Sequence, residues 1–239
     1  RLVGSEMCIR DSSLPTGITS LTNCFYGCTN FNWPVDSWDI SRVISLSNTF
    51  AYCSNFNRDL NSWNTSNVTS LASTFSNAIR FNGVISNWNT NKVTNMSFLF
   101  WNTSFNNHVD SWDTSNVTNM DSVFRVTPFN KPLNTWNVNK VGTFSFMFGA
   151  SSFNQPLSGW NIGADPSVAN TIQMSYMFYQ SPFNQSISGW NVSKVSNMST
   201  MFQNNTAFNQ PIEQWNIGNV SSFASMFSAA SNFNQSLSG

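Results

Sequence analysis

The sequence predicts a repeat solenoid of about nine coils, each holding a short parallel strand and a short helix or irregular arc. Three columns kept in register predict it. The pair Phe-Asn recurs nine times, starting at Phe31, Phe56, Phe81, Phe105, Phe129, Phe153, Phe183, Phe208 and Phe233. Tryptophan keeps the same beat at Trp38, Trp63, Trp88, Trp112, Trp136, Trp160, Trp190 and Trp215. A second phenylalanine column runs through Phe25, Phe50, Phe75, Phe100, Phe124, Phe148, Phe178, Phe202 and Phe227.

The strand is read from the residues around each Trp. Three before it sits an aliphatic, from Val35 and Leu60 to Ile212; two after it sits Ile, Val or Thr, from Ile40 to Ile217. The pattern LxxWxV has the spacing of a leucine-rich-repeat strand, which makes the solenoid leucine-rich-repeat-like. Alternation puts Trp and Trp+2 on one buried face. The arc follows as Val-x-x-Met/Leu-x-x-x-Phe, for example Val195, Met198 and Phe202. Steps of three and four suggest one or two helical turns, although a tight irregular arc would use the same spacing. A single unit cannot bury a Trp, two Phe and three aliphatics, so neighbouring units must stack. Each Trp brings roughly 150–250 Å² of ring surface. That is roughly 4–6 kcal/mol of gross burial before ordering costs.

The Asn after each Phe of the Phe-Asn pair predicts an asparagine ladder: Asn57, Asn82, Asn106, Asn130, Asn154, Asn184 and Asn209, with inward amides bridging adjacent coils. One unit is six residues longer between Trp and Phe, which predicts a protruding loop within residues 162–172, around Gly163, Asp165 and Pro166. Residues 1–13 match nothing later in the chain and read as a non-native or disordered leader. The solenoid is expected over 20–239, cut through repeats at both ends, without capping coils.

The strings Phe153–Gly163 (FNQPLSGWNIG) and Phe183–Phe202 resemble the short surface-protein repeat of the BspA-like leucine-rich-repeat family, and degenerate copies run from Leu21 to Gly239. The resemblance implies a secreted or surface-anchored protein that adheres to host or matrix proteins, glycans or other cells. It supplies no catalytic residues and no named partner.

Chemistry read from the residues agrees with a non-catalytic role. Charged residues are 8 % of the chain and the net charge is zero, so no basic face for nucleic acid or anionic membrane is expected. No apolar stretch is long enough to span a bilayer. A neutral, charge-poor surface favours lateral contact between copies. The single histidine, His108, has no column of ligands beside it, so no metal centre and no cofactor are expected. The carboxylate pairs Asp36/Asp39 and Asp110/Asp113 lie three repeats apart, which suits weak Ca²⁺ binding at most. Solenoid polysaccharide hydrolysis or lysis needs clustered acids that are missing here. Cys28 and Cys53 share one repeat slot, leaving open an inter-coil disulfide or buried free thiols. Eleven Asn-x-Ser/Thr sequons, among them Asn67 and Asn191, fall out of the repeat.

Two surface features are candidate binding sites. The residue after each Trp should face outward as a polar strip: Asp39, Asn64, Asn89, Asp113, Asn137, Asn161, Asn191 and Asn216. Trp33 shares its column with Arg58, Lys131, Gln155 and Gln185, and Trp101 and Tyr179 share theirs with Arg125 and Gln203; these three aromatics are candidate exposed anchors. The expected function is an extracellular adhesion module, with a structural surface-layer or spacer repeat as the alternative.

Overall fold

The computed structural model describes residues 14–237, so the expected leader lies outside the described residues. The described chain winds through nine coils, linked in parallel by one rung per coil: Ser20, Ser45, Ser70, Asn95, Asn119, Thr143, Gln173, Asn197 and Ser222. One rung widens into two short parallel strands, β1 (Ile172–Gln173) and β2 (Val195–Asn197).

Two sequence expectations are corrected by this layout. The rung does not fall at the Trp; it falls two residues after the Val of Val-x-x-Met. No described residue is α-helical either. The segment expected to be helical makes two successive turns instead. In one coil Thr49 N–H donates to Leu46 O at 3.1 Å and Cys53 N–H donates to Phe50 O at 3.0 Å. The third residue of each turn is left-handed: Asn48 at φ 54° and Tyr52 at φ 62°. The same pair, four residues apart, recurs from Asn23/Gly27 to Ser225/Ala229.

Such turns favour Gly or Asn at the left-handed position. Here Phe98, Val126, Phe146, Tyr176 and Thr200 also occupy it. Each L-residue so placed costs about 1–2 kcal/mol. The compensation is intermolecular in style but lies within one chain. Alternate N–H groups point along the solenoid axis to the next coil: Leu46 to Ser70 O, Asn48 to Ala72 O, Phe50 to Thr74 O and Tyr52 to Ser76 O, at 2.8–3.1 Å. A helix would turn those donors back into their own coil and leave the neighbouring carbonyls unpaired.

The core is a set of ring stacks. Within each coil the two Phe rings lie face to face, with centroids 3.7–4.0 Å apart. Along the axis the Phe25-to-Phe227 column steps by 5.4–5.9 Å. Neighbouring Trp rings step by 6.1–6.5 Å at 2–8° between planes. Near-parallel rings make these steps a measure of local coil spacing, so the coils fan out toward the Trp side. A backbone ladder needs roughly 4.8 Å between strands. That condition holds at the rung and is lost at the Trp, which is why the LxxWxV segment forms no strand.

Side chains do the bridging there. The indole N–H of Trp63 donates to Val35 O of the preceding coil at 2.9 Å, and Trp88, Trp112, Trp136, Trp160, Trp190 and Trp215 repeat the bond at 2.9–3.3 Å. All eight register Trp side chains, Trp38 included, are buried.

The change between 24- and 25-residue units also has a local cause. Where six residues separate the two Phe columns, the second Phe N–H closes a backbone turn, as Phe56 does on Cys53 O, except that Phe208 N–H donates to Asn205 Oδ1 at 3.0 Å. Where five separate them, a hydroxyl in the same slot takes over: Thr103, Thr127, Ser151 and Ser181 each accept from the following Phe N–H and donate to the preceding Phe carbonyl.

The six-residue insertion leaves the stack intact, since Trp160 and Trp190 still lie 6.2 Å apart. Its loop is tied back: Asp165 N–H reaches Asn139 O at 3.2 Å, and Lys194 Nζ donates to Asp165 O at 2.9 Å. Gly163 opens the loop at φ 61°, where an added Cβ would lie 2.8 Å from Ile172 Cδ1.

Candidate functional site

Most polar columns are occupied with holding coils together. The backbone N–H of Asn57 donates to Asn32 Oδ1 at 3.0 Å, and the pattern continues through Asn82, Asn106, Asn130, Asn154, Asn184, Asn209 and Asn234 at 2.8–3.0 Å. This ladder runs along the surface, not inside, because each Asn follows a Phe whose ring already fills the interior. The expectation of inward amides is corrected accordingly. The Gln that follows adds a second donor to the same oxygens, as Gln155 does to Asn130 Oδ1 at 3.1 Å.

The strip after each Trp, Asp39 to Asn216, is exposed along its whole length. It is a row of turns, not the face of a sheet. In all but Asn161, which leads into the inserted loop, the acid or amide oxygen accepts from the N–H two residues on: Asp39 from Ser41, Asn64 from Ser66, Asn89 from Asn91, Asp113 from Ser115, Asn137 from Asn139, Asn191 from Ser193 and Asn216 from Gly218. This local turn chemistry favours Asn and Asp. Hydrogen bonds from Ser41 and Ser115 hold the Asp39 and Asp113 carboxyls below the usual carboxylate range.

The remaining polar candidates disperse. His108 Nδ1 lies 3.0 Å from Asp110 Oδ1, and both side chains are exposed. Among the described residues no three His, Cys, Asp or Glu side chains gather where a metal ion could sit. Cys28 and Cys53 carry free thiols, and no bridge joins them. Cys53 instead donates to Phe25 O at 2.9 Å, and burial pushes its pKa up to about 12.

One surface departs from this pattern. On the turn face, over four consecutive coils, aromatic rings and one guanidinium form a continuous row. Phe98 meets Trp101 edge to face at 5.8 Å. The Arg125 guanidinium lies over Trp101 at 5.7 Å and over Phe146 at 4.1 Å. Phe146 stacks on Tyr176 at 4.2 Å and 10°, and Tyr176 meets Tyr179 edge to face at 5.7 Å. Trp101 and Tyr179 are half-buried in this row and not freely exposed, since their neighbours in adjacent coils cover part of each ring. Trp33 stands apart, 67 % exposed. Asp121 flanks the row; its carboxyl accepts from Ser122 Oγ at 2.6 Å, and burial raises its pKa.

Sequence reasoning found two members, Trp101 and Tyr179, and missed Phe98, Arg125, Phe146 and Tyr176. Writing the coils in register would have exposed the signal. Phe98, Phe146 and Tyr176 share a column that otherwise holds Asn, Ser or Thr.

No curated protein and no solved structure matches this chain. A repeat family does match, in three successive stretches that together run through the whole solenoid: residues 15–103, 83–172 and 164–239. The chain therefore belongs to the family described as Mycoplasma protein of unknown function, DUF285.

Proposed function

We propose that this chain is a non-catalytic binding and adhesion module displayed at a cell surface, of the BspA-like leucine-rich-repeat kind. The observation that carries the reading is the row from Phe98 to Tyr179. Elsewhere the repeated polar columns, the asparagine ladder and the strip after each Trp, are engaged in coil-to-coil or turn bonds. In this row Trp101, Arg125, Phe146, Tyr176 and Tyr179 are all partly exposed, so ring surface and donors without a protein acceptor lie together. A stack of nine coils holds such a row rigidly, so little ordering cost falls on binding. Solenoids use extended faces of this kind for recognition.

The test is an array of glycans and matrix proteins probed with the purified chain. Saturable binding to at least one class, without turnover, is the expected result. Silence across the array, or steady cleavage of a polysaccharide, would contradict the proposal. The alternative, a surface-layer or spacer repeat, predicts ordered self-assembly with rising concentration in sedimentation and indifference to every ligand on the array.

A further inference from the structure

We infer that the row formed by Trp101, Arg125, Phe146, Tyr176 and Tyr179 is a binding site for a neutral glycan chain lying along the solenoid axis. The inference rests on the binding-module reading and names the ligand class for it.

The row is not required by the fold. Other coils make the same pair of turns with Ser73, Thr200 or Ser225 at the left-handed position. Three residues on, those same coils carry Ser76, Gln203 and Ser228. Apart from Tyr26, the rings at these columns fall in three of four adjacent coils: Phe98 and Trp101 touch within one coil, Tyr176 and Tyr179 within another, Phe146 stacks on Tyr176 across a coil boundary, and Arg125 links Trp101 to Phe146.

The chemistry of the row selects a hydroxyl-rich partner. Arg125 places its guanidinium carbon over both Trp101 and Phe146; its charge acts on Asp121, but among the described residues the guanidinium makes no hydrogen bond and no close ion pair. Its five N–H donors are thus left without a protein acceptor. The hydroxyls of Tyr176 and Tyr179 likewise have no partner among the described residues. At the two ends, Trp101 and Tyr179 stand at 65° and 72° to Phe98 and Tyr176, so these rings are not closed off by face-to-face stacking on them. Sugar rings offer apolar C–H faces to such rings and hydroxyls to such donors.

Charge argues against a polyanion. Arg125 is the row's one cation, and Asp121 beside it is its one carboxylate. The chain as a whole has no net charge. Shape argues against a helical peptide, because half-buried rings in a row make a surface and not an apolar groove. The row covers three coil steps of 5.6–5.9 Å, which suits an extended oligomer better than a single sugar.

The experiment is affinity electrophoresis of the full chain through gels containing neutral polysaccharides (xyloglucan, galactomannan, laminarin) or acidic ones (alginate, pectate). A parallel arm uses immobilised collagen and poly-glutamate. The variants are Arg125→Gln and Tyr179→Gln, since Gln203 occupies their column in another coil, with Lys131→Gln as the control. Melting curves check that each variant folds. The expected result is retardation by a neutral polysaccharide that weakens at least tenfold in both row variants and stays unchanged in the control. If folded row variants are retarded like the parent chain, the site lies elsewhere; the inference fails and the module reading stands. Binding confined to acidic polysaccharide, collagen or poly-glutamate also overturns the glycan class and leaves the module. Binding to none of them sinks both.

Discussion

The turn face and the Trp face of each coil solve the same problem in opposite ways. On the turn face the coils are close, and backbone donates directly to backbone across the gap, as Asn48 does to Ala72. Side chains there are free to vary, so one column can hold Asn48, Phe98, Ser122 and Thr200 in turn. On the Trp face the coils are wider apart, and specific side chains span the gap: the indole N–H and, beside it, hydroxyls such as Ser62 Oγ on Asp36 O at 2.7 Å. The lesson is that variability marks where the backbone carries the stack, and invariance of residue type within the repeat marks where side chains carry it. It also explains why the candidate recognition row lies on the turn face.

The largest break should come on the Trp face. Trp160→Ala removes a buried ring between two neighbours and leaves the Leu133 carbonyl without its indole donor. We expect a loss of about 3–5 kcal/mol in chemical denaturation. Trp160→Phe should recover most of it, leaving the deficit of one lost hydrogen bond, about 0.5–1.5 kcal/mol, since Leu133 O still accepts from Trp136 N–H at 3.0 Å. Equal losses for Trp160→Ala and for Trp33→Ala would show the assignment of inside and outside to be wrong.

Next comes alkaline pH. Burial keeps the Cys53 thiol protonated in the fold up to about 12, while in the unfolded chain it ionises near the ordinary value of 9.0. The raised pKa means stability is intact below about pH 9 and falls as pH rises toward 12. The slope from this group is about 1.4 kcal/mol per pH unit. Cys53→Ala should remove that contribution, and Ala78 in the same slot of the next coil shows that the site accepts it. Identical pH slopes in the two proteins between pH 9 and 11 would contradict the burial of this thiol.

Smaller again is the asparagine ladder. Asn130→Ala deletes the acceptor for Asn154 N–H and Gln155 Nε2 on a partly solvated row. A loss of about 1 kcal/mol is expected from paired melts of parent and variant. The smallest effect should have the opposite sign. Val126 is 40 % exposed and sits at φ 56°, so Val126→Gly relieves a strained β-branched residue at little cost in burial. A gain of up to about 1 kcal/mol is expected; a clear loss would mean that the left-handed turns are not as described.

How much of this was legible in the sequence follows the same divide. The ring columns could be read because one residue type recurs where side chains carry the stack. The strand was misplaced because LxxWxV copies the spacing of a leucine-rich-repeat strand, while strand formation depends on coil spacing, which no single unit encodes. Val195, Met198 and Phe202 look helical because turns of three and four residues bury the same positions as a helix does. The left-handed residues carried no warning, since Val126 and Thr200 are poor choices for that conformation. The candidate site was half visible: Trp101 and Tyr179 stand out as aromatics in a polar column. Arg125 became part of it only once the coils placed its guanidinium between Trp101 and Phe146.

The most direct test of the central claim is residue-resolved amide hydrogen exchange. The axial donors Asn48, Phe50 and Tyr52, and their counterparts in other coils, should exchange slowly. The amides of Asn64, Asn89 and Asn137, exposed beside buried Trp rings and without a backbone acceptor, should exchange fast. Protection of the Trp-side amides together with rapid exchange on the turn face would place the ladder where LxxWxV first suggested it and contradict the account.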